Sequence, residues 1–170
     1  MTDTPHTHAS PDVLFARFAA LGIPVTTHTH PPVFTVEEAK DLRGVLPGGH
    51  CKSLFLRNKK GQYWLVVCEE DRQVDLKALG DRLGAGRLSF ASADRLMAVL
   101  GVIPGSVTPF ALINDRDHQV TVALDKGMMA KTPLNYHPLV NTMTTAIASD
   151  DLVKFVEACG HTPQIIDLGG

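Results

Sequence analysis

Polar and apolar positions along the chain follow two different periods, and the changes between them mark out the predicted elements. Val13, Leu14, Phe18 and Leu21 recur at helical spacing, with Ser10 placed as N-cap, Pro11 at the first helical position and Gly22 suited to the C-terminal cap. "TVEE", Thr35 to Glu38, fits a capping box that opens a short helix running to about Arg43. In "CKSLFLRNKKGQYWLVVCEE" two apolar runs flank the polar turn Asn58-Lys59-Lys60-Gly61, which predicts a β-hairpin. A helix is expected from Asp75 to Leu83, ended by Gly84, then a short strand in "RLSF", then a helix capped by Ser92 and stopped at Gly101. Phe110–Ile113 and Val120–Leu124 are predicted to form a second hairpin through "NDRDHQ". "NTMTTAIA" reads as a strand, Asp150 to Cys159 as an amphipathic helix, and "PQIIDL" as the last strand. Hairpins interleaved with short helices imply a mixed α/β domain dominated by antiparallel pairing, without the βαβ rhythm of a doubly wound sheet.

One segment breaks both periods. "GVIPGSVTPFAL", Gly101 to Leu112, places two glycines and two prolines ahead of an apolar run. Glycine lets another molecule approach the backbone closely, and each proline fixes φ and removes a donor. The segment is therefore expected to be a stiff loop made largely of backbone, feeding a strand.

Composition narrows the class of protein. The 170 residues suit a single domain over 10–170 behind a flexible tail at 1–9, and 44% hydrophobic against 20% charged residues is enough for a packed core. A formal charge of −2 argues against a protein that coats nucleic acid broadly, while leaving room for a local basic patch. Cys51, Cys68 and Cys159 are odd in number and form no CxxC, which points to reduced thiols. The chain start lacks the charge and apolar run of a signal peptide and no run matches a membrane span, so a soluble, cytoplasmic protein is expected. No association motif is evident, which points to a monomer.

The common catalytic signatures are missing: there is no GxSxG elbow, Walker loop, HExxH, or GxGxxG in the right setting. Eight histidines include two "HTH" runs, and His28 and His30 alternate along a strand-like segment, but no third ligand stands at motif spacing, so no metal or other cofactor is expected. Cys51 beside Lys52 has no assigned base and reads as a half-buried thiol. Lys52 follows "PGGH" at a strand entrance, where a solvated lysine is the ordinary reading; the basic turn "RNKKG" reads as a soluble hairpin tip. His137 and Asn141 in "NYHPLVN" are able to order water or a hydroxyl, or simply to form a turn. Gly105 and Ser106 are able to offer backbone N–H groups to an oxyanion, or to be a tight turn. Taken singly, none of these decides the chemistry.

Taken together, "CKSLFLRNKKGQYWLVV", "RLSFAS", "GVIPGSVTPFALIND" and "NYHPLVNTMTTAI" resemble the YbaK/prolyl-tRNA synthetase-associated editing domains. Within these, the spacing is most similar to the free-standing Ala-tRNA(Pro) deacylases called ProXp-ala or PrdX. The resemblance covers the chain from first helix to last strand and implies a mixed, mostly antiparallel, barrel-like sheet surrounded by helices. It implies hydrolysis of alanine wrongly esterified to tRNA(Pro), acting in trans, with prolyl-tRNA synthetase or an elongation factor as transient partners. Lys52 matches the family's lysine near the terminal adenosine and its phosphate, and Gly105 through Pro109, with Ser106, Val107 and Thr108 between, matches the GxxxP loop bordering the aminoacyl pocket. His137 and Asn141 fall in its HPL-x-N segment, and Arg87 lies where a basic residue faces the acceptor stem. The expected chemistry needs a positioned water, backbone stabilisation of the oxyanion and help from the ribose hydroxyl more than a protein nucleophile. Two alternatives stay open at this point: a deacylase for Cys-tRNA(Pro) or another small aminoacyl-tRNA, and a non-catalytic tRNA- or synthetase-binding module.

Overall fold

A computed structural model describes residues 8–31 and 48–168. The chain begins with α1 (Pro11–Leu21), where the Ser10 hydroxyl accepts the Val13 N–H at 3.3 Å. Leu14 and Phe18 turn inward, whereas Val13, expected on the apolar stripe, is half exposed because a neighbour of Leu14 points about 100° away around the helix. The helix predicted from Thr35 lies outside the described residues. Ahead of α1, the Ala9 N–H is held by Asn114 Oδ1 at 2.8 Å.

After β1 (Val25–Thr29) comes the predicted hairpin, β2 (Gly49–Asn58) and β3 (Tyr63–Glu69), in register from Cys51 opposite Glu69 to Arg57 opposite Tyr63. Asn58 closes its turn: Oδ1 accepts the Gln62 N–H at 2.9 Å, and Nδ2 donates to Gln62 Oε1 and to the Ala85 carbonyl. Then follow α2 (Leu76–Leu83), β4 (Leu88–Phe90) and α3 (Ala93–Leu100), with Asp75 and Ser92 as N-caps. Gly101 ends α3 at φ +69°, and a Cβ there would also strike His8, so the stiff loop starts at a residue only glycine suits.

The second predicted hairpin does not form. Phe110–Ile113 lies within a 3₁₀ turn, Pro109–Asn114, started by the fixed φ of Pro109 and by Thr108, whose hydroxyl accepts the Phe110 N–H at 3.3 Å. The loop thus feeds a 3₁₀ turn and not a strand. The burial that made this run look like a strand is real: Phe110 packs edge-on against Phe18, Phe155 and Tyr136 at ring distances of 5.1, 5.6 and 5.5 Å.

Freed from that hairpin, β5 (Val120–Asp125) pairs parallel with β3 and with β8 (Gln164–Ile166). The remaining elements are α4 (Lys126–Met129), β6 (Leu134–Tyr136), β7 (Met143–Ile147) and α5 (Ser149–Ala158). The eight strands run in the order β1-β7-β6-β2-β3-β5-β8, with β4 also paired to β2; four of the pairings are antiparallel and three parallel. One sheet face packs Phe55, Leu65 and Val67 against α1, α5 and the 3₁₀ turn; the other sets Leu56, Trp64 and Val66 against Leu79 and Leu88. Alternation along β2 and β3 thereby serves two cores at once.

β2 shares one edge between two strands. β6 pairs with it at Gly49 and His50, and β4 at Leu56 to Asn58. The stretch between those pairings carries Lys52.

Candidate active site

Lys52 stands in β2 opposite Cys68 of β3 and is half-buried. Its Nζ donates to the backbone carbonyl of Arg72 in the turn that follows β3. The parallel register sets His50 beside Asn135, so Lys52 and His137 each lie two residues further on in neighbouring segments. The register thus sets residues 85 positions apart in sequence on neighbouring segments.

His137 is fixed by its Nδ1, which lies 2.9 Å from the Met143 carbonyl. A carbonyl only accepts, so Nδ1 carries the proton and Nε2 of the neutral ring keeps its lone pair. Burial holds the His137 pKa below the usual histidine value, the Met143 hydrogen bond opposes this, and His30 lowers it further. The His30 ring lies 6.2 Å from that of His137, with Nε2 2.7 Å from Thr144 Oγ1 and Nδ1 2.8 Å from the Pro31 carbonyl. Only the second half of a sequence signal was available for His30: it alternates along a strand, but nothing local pairs it with His137.

The glycine-proline loop approaches the same segment. A Cβ built on Gly105 would stand 3.6 Å from Asn141 Nδ2, ordinary van der Waals contact. Gly105 itself is exposed, while Ser106, Thr108 and Pro109 are buried and Val107 is half-buried. Pro104–Ser106 forms a 3₁₀ turn in which the Ser106 N–H donates to the Ile103 carbonyl at 2.9 Å. The Ser106 amide is therefore committed to the turn, whereas the Gly105 N–H lies outside that hydrogen bond. The Ser106 hydroxyl is buried and has no hydrogen-bond partner among the described residues.

The neighbouring thiol is inert. Burial pushes Cys51 up to about 12, against the lowering effect of hydrogen bonds from Tyr136 and Asn135, so no thiolate nucleophile forms there near neutrality. Among the described residues no group of three His, Cys, Asp or Glu side chains could hold a metal ion, and no helix is long and apolar enough to cross a membrane.

Arg87 is not part of this assembly. It is exposed and precedes Leu88, which pairs with Asn58 at the far end of β2. Six strand residues separate Asn58 from Lys52, about 20 Å at 3.3 Å per residue. Arg87 lines a separate surface groove of about 550 Å³ with Lys77 and Asp81.

The family model for the aminoacyl-tRNA editing domain matches residues 30–155, the span that holds every one of these side chains. The chain belongs to that family. It is accordingly an aminoacyl-tRNA editing hydrolase. The editing-domain chain is 38% identical over 156 residues to the prolyl-tRNA editing protein ProX of Acetoanaerobium sticklandii, across 91% of this chain and 95% of that one. It is also 38% identical to prolyl-tRNA synthetase associated domain-containing protein 1 of Mus musculus, covering 89% of this chain and 92% of that protein. Two solved structures share the fold at 19% identity. One is of a candidate trans-editing enzyme for prolyl tRNA synthetase, with a TM-score of 0.72 over 96% of this chain and 99% of that one. The other is of the hypothetical protein APE2540, with a TM-score of 0.71 over 89% and 97%. The expected mixed α/β editing fold is thus borne out.

Proposed function

We propose that the protein acts in trans on mischarged tRNA(Pro), hydrolysing the ester of Ala-tRNA(Pro) to alanine and free tRNA. The observation that carries this reading is the 38% identity to a prolyl-tRNA editing protein along 95% of that protein's length. The approach of Gly105 to Asn141 and the register that sets Lys52 and His137 on neighbouring segments are compatible with it, since an activated ester needs a gripped nucleic-acid end and a stabilised oxyanion rather than a strong nucleophile.

In this mechanism Lys52 neutralises phosphate at the terminal adenosine and fixes the ester. Water attacks the ester carbonyl, its proton relayed through the neighbouring ribose hydroxyl to the departing ribose oxygen or taken up by the lone pair of His137 Nε2. The Gly105 N–H donates to the oxygen that gains charge, and collapse expels the ribose oxygen, which takes a proton. Pro104 and Pro109 keep the loop from relaxing away from that oxygen. In this reading Val107, Thr108 and Pro109 border the aminoacyl pocket and restrict it to a small side chain.

The pocket has a clear purpose. A synthetase built for proline gains only about 1–3 kcal/mol per missing methylene against alanine, so a second, smaller sieve supplies the remaining discrimination. The test is a panel of tRNA(Pro) charged with alanine, cysteine, serine or proline. Alanine is released and proline is spared; intact Ala-tRNA(Pro) in the presence of folded protein refutes the reading. Faster release of cysteine or serine than of alanine assigns the site to that amino acid.

A further inference from the structure

We infer that the buried ion pair between Arg72 and Asp125 is a positioning device for Lys52, setting where its ammonium group stands in the cleft. The inference rests on the proposed anchoring role of Lys52, and the argument for it is geometric.

A lysine is a point charge on a flexible four-carbon stem, so a lysine that must meet one phosphate has to be held from outside. Here the Lys52 ammonium donates to the Arg72 carbonyl. That carbonyl belongs to a short turn in which the Arg72 N–H donates to the Glu69 carbonyl at 3.0 Å. The Glu70 N–H ties the turn to β2 by donating to the His50 carbonyl at 2.9 Å, and the Arg72 side chain ties it to β5. Arg72 Nε donates to Asp125 Oδ2 at 2.9 Å, and Asp125 is fully buried at the end of β5.

Asp125 is held in turn. Its other oxygen, Oδ1, accepts the Gly127 N–H at 3.1 Å as the N-cap of α4. Both carboxylate oxygens are thus engaged, and the carboxylate is fixed relative to strand and helix. Gly127 leaves room for the guanidinium: a Cβ there would lie 3.1 Å from the Arg72 terminal nitrogen. Glu69 pairs outward with Lys131 at 3.3 Å, so it does not compete for Arg72 from the rim. The chain of contacts runs from the end of β5 through Arg72 to Lys52, and one of the three ammonium hydrogens is used while two remain for a ligand.

Asp125→Asn tests the device. Asn Oδ1 still caps Gly127, whereas its amide cannot accept from Arg72 Nε, so the cap is kept, the ion pair is lost and the Arg72 guanidinium is left without its counter-charge. Two readouts are taken beside circular dichroism. The rate of reductive methylation at Lys52, followed by peptide mass spectrometry with formaldehyde and cyanoborohydride, is expected to rise several-fold as the ammonium is freed. The KM for Ala-tRNA(Pro) is expected to rise about tenfold with kcat little changed, a loss of positioning rather than of chemistry. Arg72→Lys, which keeps the charge, restores most of both. A pair that merely braces the fold would shift melting temperature and leave Lys52 labelling and KM unchanged, and that result overturns the inference. If the wild type fails to release alanine, the substrate reading falls, and the labelling rate alone still decides whether the pair positions Lys52. If Asp125→Asn does not fold, Gly127→Ala decides: it keeps every charge, crowds the guanidinium and raises Lys52 labelling, and an unchanged rate overturns the inference.

Discussion

The two ends of β2 belong to one strand and do opposite work. At Asn58 the strand is covered on both edges, by β3 and β4, and the side chain spends its polar atoms on the chain itself, bonding Gln62 twice and the Ala85 carbonyl. At Lys52 the edge lies between the β6 and β4 pairings, and the ammonium keeps donors in reserve. Full satisfaction of polar groups suits a structural terminus, and donors left over at a gap in the ladder suit the chemical role proposed for Lys52. The same logic separates Gly105 from Ser106: one amide is spent on a turn and the other is not.

That contrast is sharpest in activity. Lys52→Ala is expected to lower kcat/KM for Ala-tRNA(Pro) by about 10²–10³, the scale of losing one preorganised electrostatic group, with the circular dichroism spectrum unchanged. An unaltered rate in a folded variant would break the comparison at its functional end. Asn58→Ala should behave in reverse. Removing a side chain that is 7% exposed and bonds three neighbouring groups is expected to cost about 2–3 kcal/mol in denaturant unfolding and to leave deacylation of the folded protein intact. Loss of activity at full stability would show that the structural end also touches substrate. The smallest effect is expected at Arg87, exposed beside Asn58's partner strand. Arg87→Ala should weaken tRNA binding only a few-fold and reduce the slope of log K against log salt by about one, the signature of a single phosphate contact. A salt slope identical to wild type would remove Arg87 from the acceptor-stem surface.

Much of this architecture was legible locally. The caps at Ser10 and Ser92 and the β2–β3 turn depend on residues within a few positions of one another and stand where the pattern predicts, while Asp75, expected as the first helical residue, is the N-cap of α2. Phe110–Ile113 was misread because a short apolar run suits a buried strand and a buried 3₁₀ turn equally. Its outcome was settled by Phe18, Tyr136 and Phe155, none of them nearby in sequence. β6 carries three residues, too few for any period to show, and exists through pairing with β2 and β7. In the candidate site, the motif resemblance marked Lys52, the Gly105–Pro109 loop, His137 and Asn141, while the reading of the residues themselves offered Gly105 and Ser106 alike as amide donors. Only the 103–106 turn tells them apart. Arg72 and Asp125 carried no local signal, and the strand alternation at His30 gave no hint of His137, because each of these partners lies more than fifty residues away.

The sequence by itself determined α1, α2, α3 and α5, the long hairpin and, through its motifs, the family. These follow from dihedral preference, capping and periodicity, forces that act within a turn or two of chain. The tertiary structure alone decided that β5 runs parallel to β3, that Lys52 and His137 share one end of adjoining segments, and that Asp125 reaches Lys52 through Arg72. Those are contacts between distant segments, set by which apolar faces and buried charges satisfy one another once the chain has closed on itself, and no local period encodes them.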